Sequence, residues 1–65
     1  MEQTLEQIQK AIAVDLYVEG YHSWDVNENK NYPVIKAEME KRYDCKLSNL
    51  DFDKAIDKLE WMEDE

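Results

Sequence analysis

The sequence predicts an all-α fold, a small three-helix domain, on three observations. One Gly and one Pro in 65 residues leave too few turn formers for a strand architecture, which must reverse direction every few positions. Three separate stretches carry apolar residues at spacings of three and four, the period of a helix with one buried face. Two of the three follow a hydroxyl residue placed to cap a helix start. A chain of this length is one domain, residues 1–65, whose single core leaves a net stability of only about a few kcal/mol. Multi-domain enzymes and dinucleotide-binding folds are excluded by size.

Thr4 followed by Gln7 fits a capping box, in which a hydroxyl and an amide side chain satisfy the unpaired amides of a helix start. The first helix is expected over about 5–19, with Leu5, Ile8, Ile12 and Leu16, and Ala11 beside them, as its buried stripe. Gly20, the only glycine, suits the left-handed residue that ends it, with Tyr21 folding back near Leu16 or Tyr17. Residues 20–32 read as an irregular link with three Asn and no helical stripe, and a short extended piece is expected around Trp24 and Val26. Pro33 belongs in the first turn of a second helix, about 33–44, capped by Asn31 or Tyr32 and lined on one side by Ile35, Met39 and Tyr43. Ser48 with Asp51 is a second capping box and places a third helix at about 49–62, with Phe52, Ala55, Ile56, Leu59 and Met62 as its core stripe. Glu63, Asp64 and Glu65 put negative charge at the wrong end of that helix's dipole, so its last turn is expected to fray.

The stretch PVIKAEMEKRYDCKLSNLDFDKAIDKLEWM, residues 33–62, resembles the second and third helices of helix-turn-helix and winged-helix domains. The resemblance implies a KAEMEKRY helix packed at a steep angle against a FDKAIDKLE helix across a short turn. It covers about half the chain, rests on a generic amphipathic pattern and bears on fold only.

Cys45 is the only cysteine, so no intramolecular disulfide forms and a reducing cytoplasm is the expected compartment, the host's cytoplasm if the chain is phage-encoded. No apolar run approaches the ~18 residues of a membrane span, and Met1, Glu2, Gln3 lack the basic start of a targeting segment, so a soluble, untargeted chain is expected. Asp25, Asn27 and Asn29 occupy the first, third and fifth places of a calcium loop, but Lys30 stands where the loop needs Gly and Lys36 where it needs a bidentate Glu. His22 and Cys45 are single, with no paired spacing for zinc. A Cys–His nucleophilic pair, or Ser23 beside His22, would lack an oxyanion turn and a rigid scaffold. No metal, no cofactor and no catalytic residue are expected, and the chain reads as a non-enzyme.

Charge is the more informative signal, with 16 acidic against 8 basic residues and a net charge of −8. Residues 1–20 contribute −3, residues 21–32 contribute −1, residues 33–46 contribute +1, and residues 47–65 contribute −5. On the third helix Asp53, Asp57, Glu60 and Asp64 follow at spacings of four, three and four, one row turned away from Phe52, Ile56 and Leu59. Carboxylates at that interval resemble the charge spacing along a nucleic acid backbone; the other reading of the row is an ordinary solvated face that keeps the chain soluble. Trp61 lies off the core stripe beside Glu60, and Trp24 lies in the link; each is either a rim residue closing the core or an anchor at a protein interface.

The expected partner-binding residues are therefore Asp53, Asp57, Glu60, Trp61 and Asp64. They point to a small non-catalytic protein–protein interaction protein that occupies a basic, nucleic-acid-binding surface of a partner protein. In composition the chain resembles small phage-encoded inhibitors, DNA mimics and anti-CRISPR proteins among them. The alternative is a helix-turn-helix DNA-binding regulator, which would have to reach phosphates through Lys36, Lys41, Arg42 and Lys46 because the −5 segment repels them. A third reading is a small homodimer that buries against a copy of itself some of its seven aromatics, more than three short helices need for one core.

Overall fold

The computed structural model describes residues 3–64. Within them the chain forms α1 (Leu5–Val18), α2 (Ser23–Val26), α3 (Tyr32–Tyr43) and α4 (Asn49–Glu63), with no strand among the described residues. The three expected helices are present and all-helical packing is as the sequence predicts. The link differs: its middle is a helical turn, α2, where an extended piece was expected.

Side-chain chemistry at each end explains the boundaries. Both capping boxes form, with the Gln7 amide donating to Thr4 Oγ1 at 3.2 Å and the Asp51 amide donating to Ser48 Oγ at 3.1 Å. Gly20 adopts φ +90°, and the Tyr21 and Gly20 amides donate back to the Leu16 and Tyr17 carbonyls at 2.9 and 3.1 Å, the paired bonds of a left-handed helix end. The same end recurs on α3 with an aspartate, since Asp44 has φ +50° and the Cys45 amide reaches the Glu40 carbonyl at 3.1 Å. In α2 the His22 amide donates to Asp25 Oδ2 at 3.2 Å, and Val26 is fully buried while Trp24 points out. Asn31 does not cap α3 through its side chain; its Nδ2 donates instead to the Asp25 carbonyl at 3.0 Å, closing the link back on α2.

The core joins Ile12, Ala13 and Leu16 of α1, Val26 of α2, Ile35 and Met39 of α3, Leu47 of the α3–α4 connection, and Phe52, Ala55, Ile56 and Leu59 of α4. Each large side chain among them contributes roughly 1.5–3 kcal/mol by leaving water. The α1 stripe is rotated from the expected one. Leu5 is exposed and Ala11 half-buried, whereas Gln9 is buried and its Nε2 donates to the Asp51 carbonyl at 3.3 Å. Leu47 is buried and its amide donates to Glu40 Oε2 at 2.8 Å, so the connection before α4 is itself part of the core.

α4 lies alongside α1, and α2 rests on its C-terminal half. α4 runs to Glu63, the first of the three acids expected to fray its end, and Glu63 accepts from the Ser23 amide at 2.7 Å and the Ser23 hydroxyl at 3.1 Å, with His22 Nδ1 at 3.4 Å. Glu65 lies outside the described residues. α3 is fastened on both sides. Towards α1, Arg42 reaches Asp15 at 3.4 Å and Glu19 at 3.3 Å besides Glu38 at 3.2 Å, and the Tyr43 hydroxyl donates to Asp15. Towards α4, the Tyr32 ring meets Phe52 edge-on, with centroids 5.1 Å apart at 83°. No described helix is long and apolar enough to cross a membrane.

Candidate interaction face

The helical period of α4 sets its side chains in two adjacent rows on the side away from the core. Asp53, Asp57, Glu60 and Asp64 are all exposed, and the first three stand on α4 itself, while Asp64 is its C-cap. Between them and α1 runs a second row, Leu50, Lys54, Asp57 and Trp61, also at spacings of four, three and four. Asp57 belongs to both. The face is therefore acidic on one edge only: Lys54 stands three residues before Asp57, and Lys58 directly follows it.

Asp53 differs from the rest of its row. Its Oδ1 accepts from the Tyr32 hydroxyl at 2.7 Å, a hydrogen that the Asn49 carbonyl shares at 3.0 Å. Burial and this ionised neighbour push the Tyr32 phenol up to about 12, since a phenolate beside a carboxylate would be repelled. Asp53 is thus a fastening between α3 and α4. The side chains of Asp57, Glu60 and Asp64 have no hydrogen bond or ion pair among the described residues, so their charge is available to a partner.

Trp61 is 78% exposed and Leu50 64% exposed, which settles that Trp61 does not close the core. It stands over a groove of about 900 Å³ between α1 and α4, lined by Leu5, Lys10, Lys54, Asp57 and Lys58 among others. Trp24 is 64% exposed, its ring parallel to His22 with centroids 5.9 Å apart. An exposed indole removes a large apolar area from water when covered, which is why Trp is over-represented among the residues that dominate interfaces.

The basic segment is less available than its charge suggests. Arg42 is surrounded by Asp15, Glu19 and Glu38, which neutralise it locally, and the Glu19 bond first and Asp15 second push its guanidinium up. Lys36 is half-buried, leaving Lys41 and Lys46 exposed. No cluster of three or more His, Cys, Asp or Glu able to hold a metal occurs among the described residues. The Asp25 carboxylate of the calcium-like stretch is engaged at the start of α2. Cys45 is half-buried, and burial together with Glu40, Asp44 and Asp51 pushes its thiol up, which lowers the thiolate fraction a nucleophile needs. His22 sits elsewhere, against Glu63 and Trp24.

Leu50 and Lys54 belong to this face but to neither the core stripe nor the acid row. Extending the four-three-four spacing from Trp61 back towards the start of α4 finds both. No protein-family model, no curated protein and no solved structure matches the chain.

Proposed function

We propose that the protein is a non-catalytic interaction module that docks the outer face of α4 on a basic surface of a partner protein. The observation that carries this reading is Trp61, 78% exposed, standing among the unengaged carboxylates of Asp57, Glu60 and Asp64. The carboxylates steer a cationic surface from a distance, and Trp61 slows dissociation once apolar contact is made. Asp53 takes the lesser part, because its charge already fastens Tyr32. In its finer form the reading is an inhibitor or regulator of the phage-encoded kind, a DNA mimic or anti-CRISPR protein, that covers a nucleic-acid-binding surface.

The test is affinity purification from the native host with wild-type protein and with Asp57→Lys/Glu60→Lys as bait. Each change adds two units of positive charge on an exposed face without touching the core. Proteins captured by the wild type at low salt and lost with the double variant support the proposal; equal capture by a folded double variant defeats it.

Direct DNA binding as a helix-turn-helix regulator is the second reading, and the engagement of Arg42 by three carboxylates weighs against it. A gel shift with random duplex at low salt that Lys41→Glu/Lys46→Glu abolishes would reinstate it.

A further inference from the structure

We propose that α4 is a self-complementary surface through which two copies of this chain pair. Its outermost row, Leu50, Lys54, Asp57 and Trp61, runs apolar, cation, anion, apolar along one line of a 15-residue helix. When two such helices lie antiparallel about a two-fold axis, each contact is repeated with the roles of the copies exchanged. With the axis midway between Lys54 and Asp57, Leu50 of one copy meets Trp61 of the second, and Lys54 meets Asp57, each twice. Sliding the helices by one turn in either direction loses both pairings.

All four side chains are free to make these contacts. Leu50 and Trp61 are the most exposed apolar residues of α4, and neither Lys54 nor Asp57 has an ion partner among the described residues. The charges that flank the row temper the association. On one edge Asp53 and Glu60 come near Glu60 and Asp53 of the second copy; on the other, Lys58 faces Lys54. Each copy also carries −8. Pairing is accordingly weak; salt relieves the mutual repulsion of the two −8 chains beyond about 8 Å, weakens the close charge contacts of both signs alike and leaves the apolar ends in place. The paired state covers Trp61, so it competes with any partner that docks on the same face. The inference does not depend on that partner existing, and its test uses this chain alone.

The experiment is sedimentation equilibrium of the full chain from micromolar to millimolar concentration at physiological salt. The expected result is a mass that climbs from 7.8 kDa towards twice that value. Lys54→Glu alone and Asp57→Lys alone each set like charges against each other twice and weaken pairing by about tenfold or more. Lys54→Glu with Asp57→Lys restores it, because the two-fold needs only opposite charges at the two positions. In a Trp24→Phe background, Trp61 emission shifts to the blue as the wild-type row pairs and does so again in the double reversal. A monomeric mass at every concentration overturns the proposal. So does association that both single reversals leave unchanged, or a double reversal no stronger than the singles.

Discussion

Two phenols hold α3 between its neighbours, and removing their hydroxyls isolates what those bonds contribute. Tyr32 donates to Asp53 of α4 and Tyr43 to Asp15 of α1, and both are pushed up to about 12 by burial first and by the facing carboxylate second. Tyr32→Phe keeps the edge-on contact with Phe52 and loses only the donor. A hydrogen bond to an ionised acceptor is worth roughly 1.5–3 kcal/mol when dry, and the exposed Asp53 regains water after the change, so the expected cost is about 1 kcal/mol. For a domain of this size that lowers the thermal midpoint by roughly 4–8 °C. The pH dependence follows from the direction of the shifts. A phenol whose folded value lies above its unfolded one stabilises the fold fully below about 10, and that contribution is lost as pH rises through about 12. Wild type should lose stability across this window, and Tyr32→Phe/Tyr43→Phe should lose less. The assay is thermal unfolding by circular dichroism at stepped pH, with tyrosinate absorbance followed in parallel. Parallel decline of both proteins, or a Tyr32→Phe midpoint equal to wild type at neutral pH, would refute the assigned role of these bonds.

Other perturbations test the helix ends and the α2 dock. Gly20→Ala should cost about 1 kcal/mol through backbone strain alone, because an added Cβ meets nothing within 4 Å; an unchanged urea midpoint contradicts the left-handed end. Asp44→Gly, at φ +50°, should raise stability by about 0.5 kcal/mol, the left-handed strain relieved less the greater freedom of glycine in the unfolded chain, read from the same titration. Glu63→Ala removes the acceptor of the Ser23 amide and hydroxyl; amide exchange should show protection lost over residues 22–26 before the rest of the molecule, and uniform loss would mean α2 is no separate unit. Val26→Ala, at a fully buried site, should cost about 2 kcal/mol from two lost methyl groups and the space they leave.

The helices were legible because caps and stripes are local. Thr4, Gln7, Gly20, Ser48 and Asp51 act within a few residues of themselves, so their spacing fixes both the bonds and the boundaries. The link was less so. Asp25, three residues after His22, is a local helix-start group that lacks the Ser or Thr of the other two starts; what completes the turn over SWDV is the Val26 side chain entering the core and Glu63, 40 residues after Ser23, holding its start. The rotation of the α1 stripe has a similar origin, since Gln9 is buried by a carbonyl of α4 that it satisfies. On the face of α4, the acid row and exposed Trp61 follow from the helical period. Asp53's engagement by Tyr32 is a contact between helices 21 residues apart in sequence, and no spacing rule reaches it.

These long-range contacts alter what the charge of −8 means. A chain with one glycine and one proline has little conventional turn chemistry, and its carboxylates take over much of that work. Asp25 and Asp51 accept amides at helix starts, Glu63 accepts the Ser23 amide and hydroxyl at the start of α2, and Glu40 holds the amide of Leu47. Asp15, Glu19 and Glu38 surround Arg42, and Asp53 takes the Tyr32 hydroxyl. Acids engaged in this way are structural groups, and a mutational scan that reverses every acid would confuse unfolding with loss of binding. The carboxylates left without such partners fall unevenly, with Asp57, Glu60 and Asp64 together beside Trp61 on the last two turns of α4. Net charge read along the sequence spreads the acidic character over most of the molecule. Once each described acid is matched to its acceptor role, Glu6 and Asp44 stay unengaged elsewhere, and the one group of three free carboxylates stands at the end of α4, which is where a charge-reversal experiment discriminates.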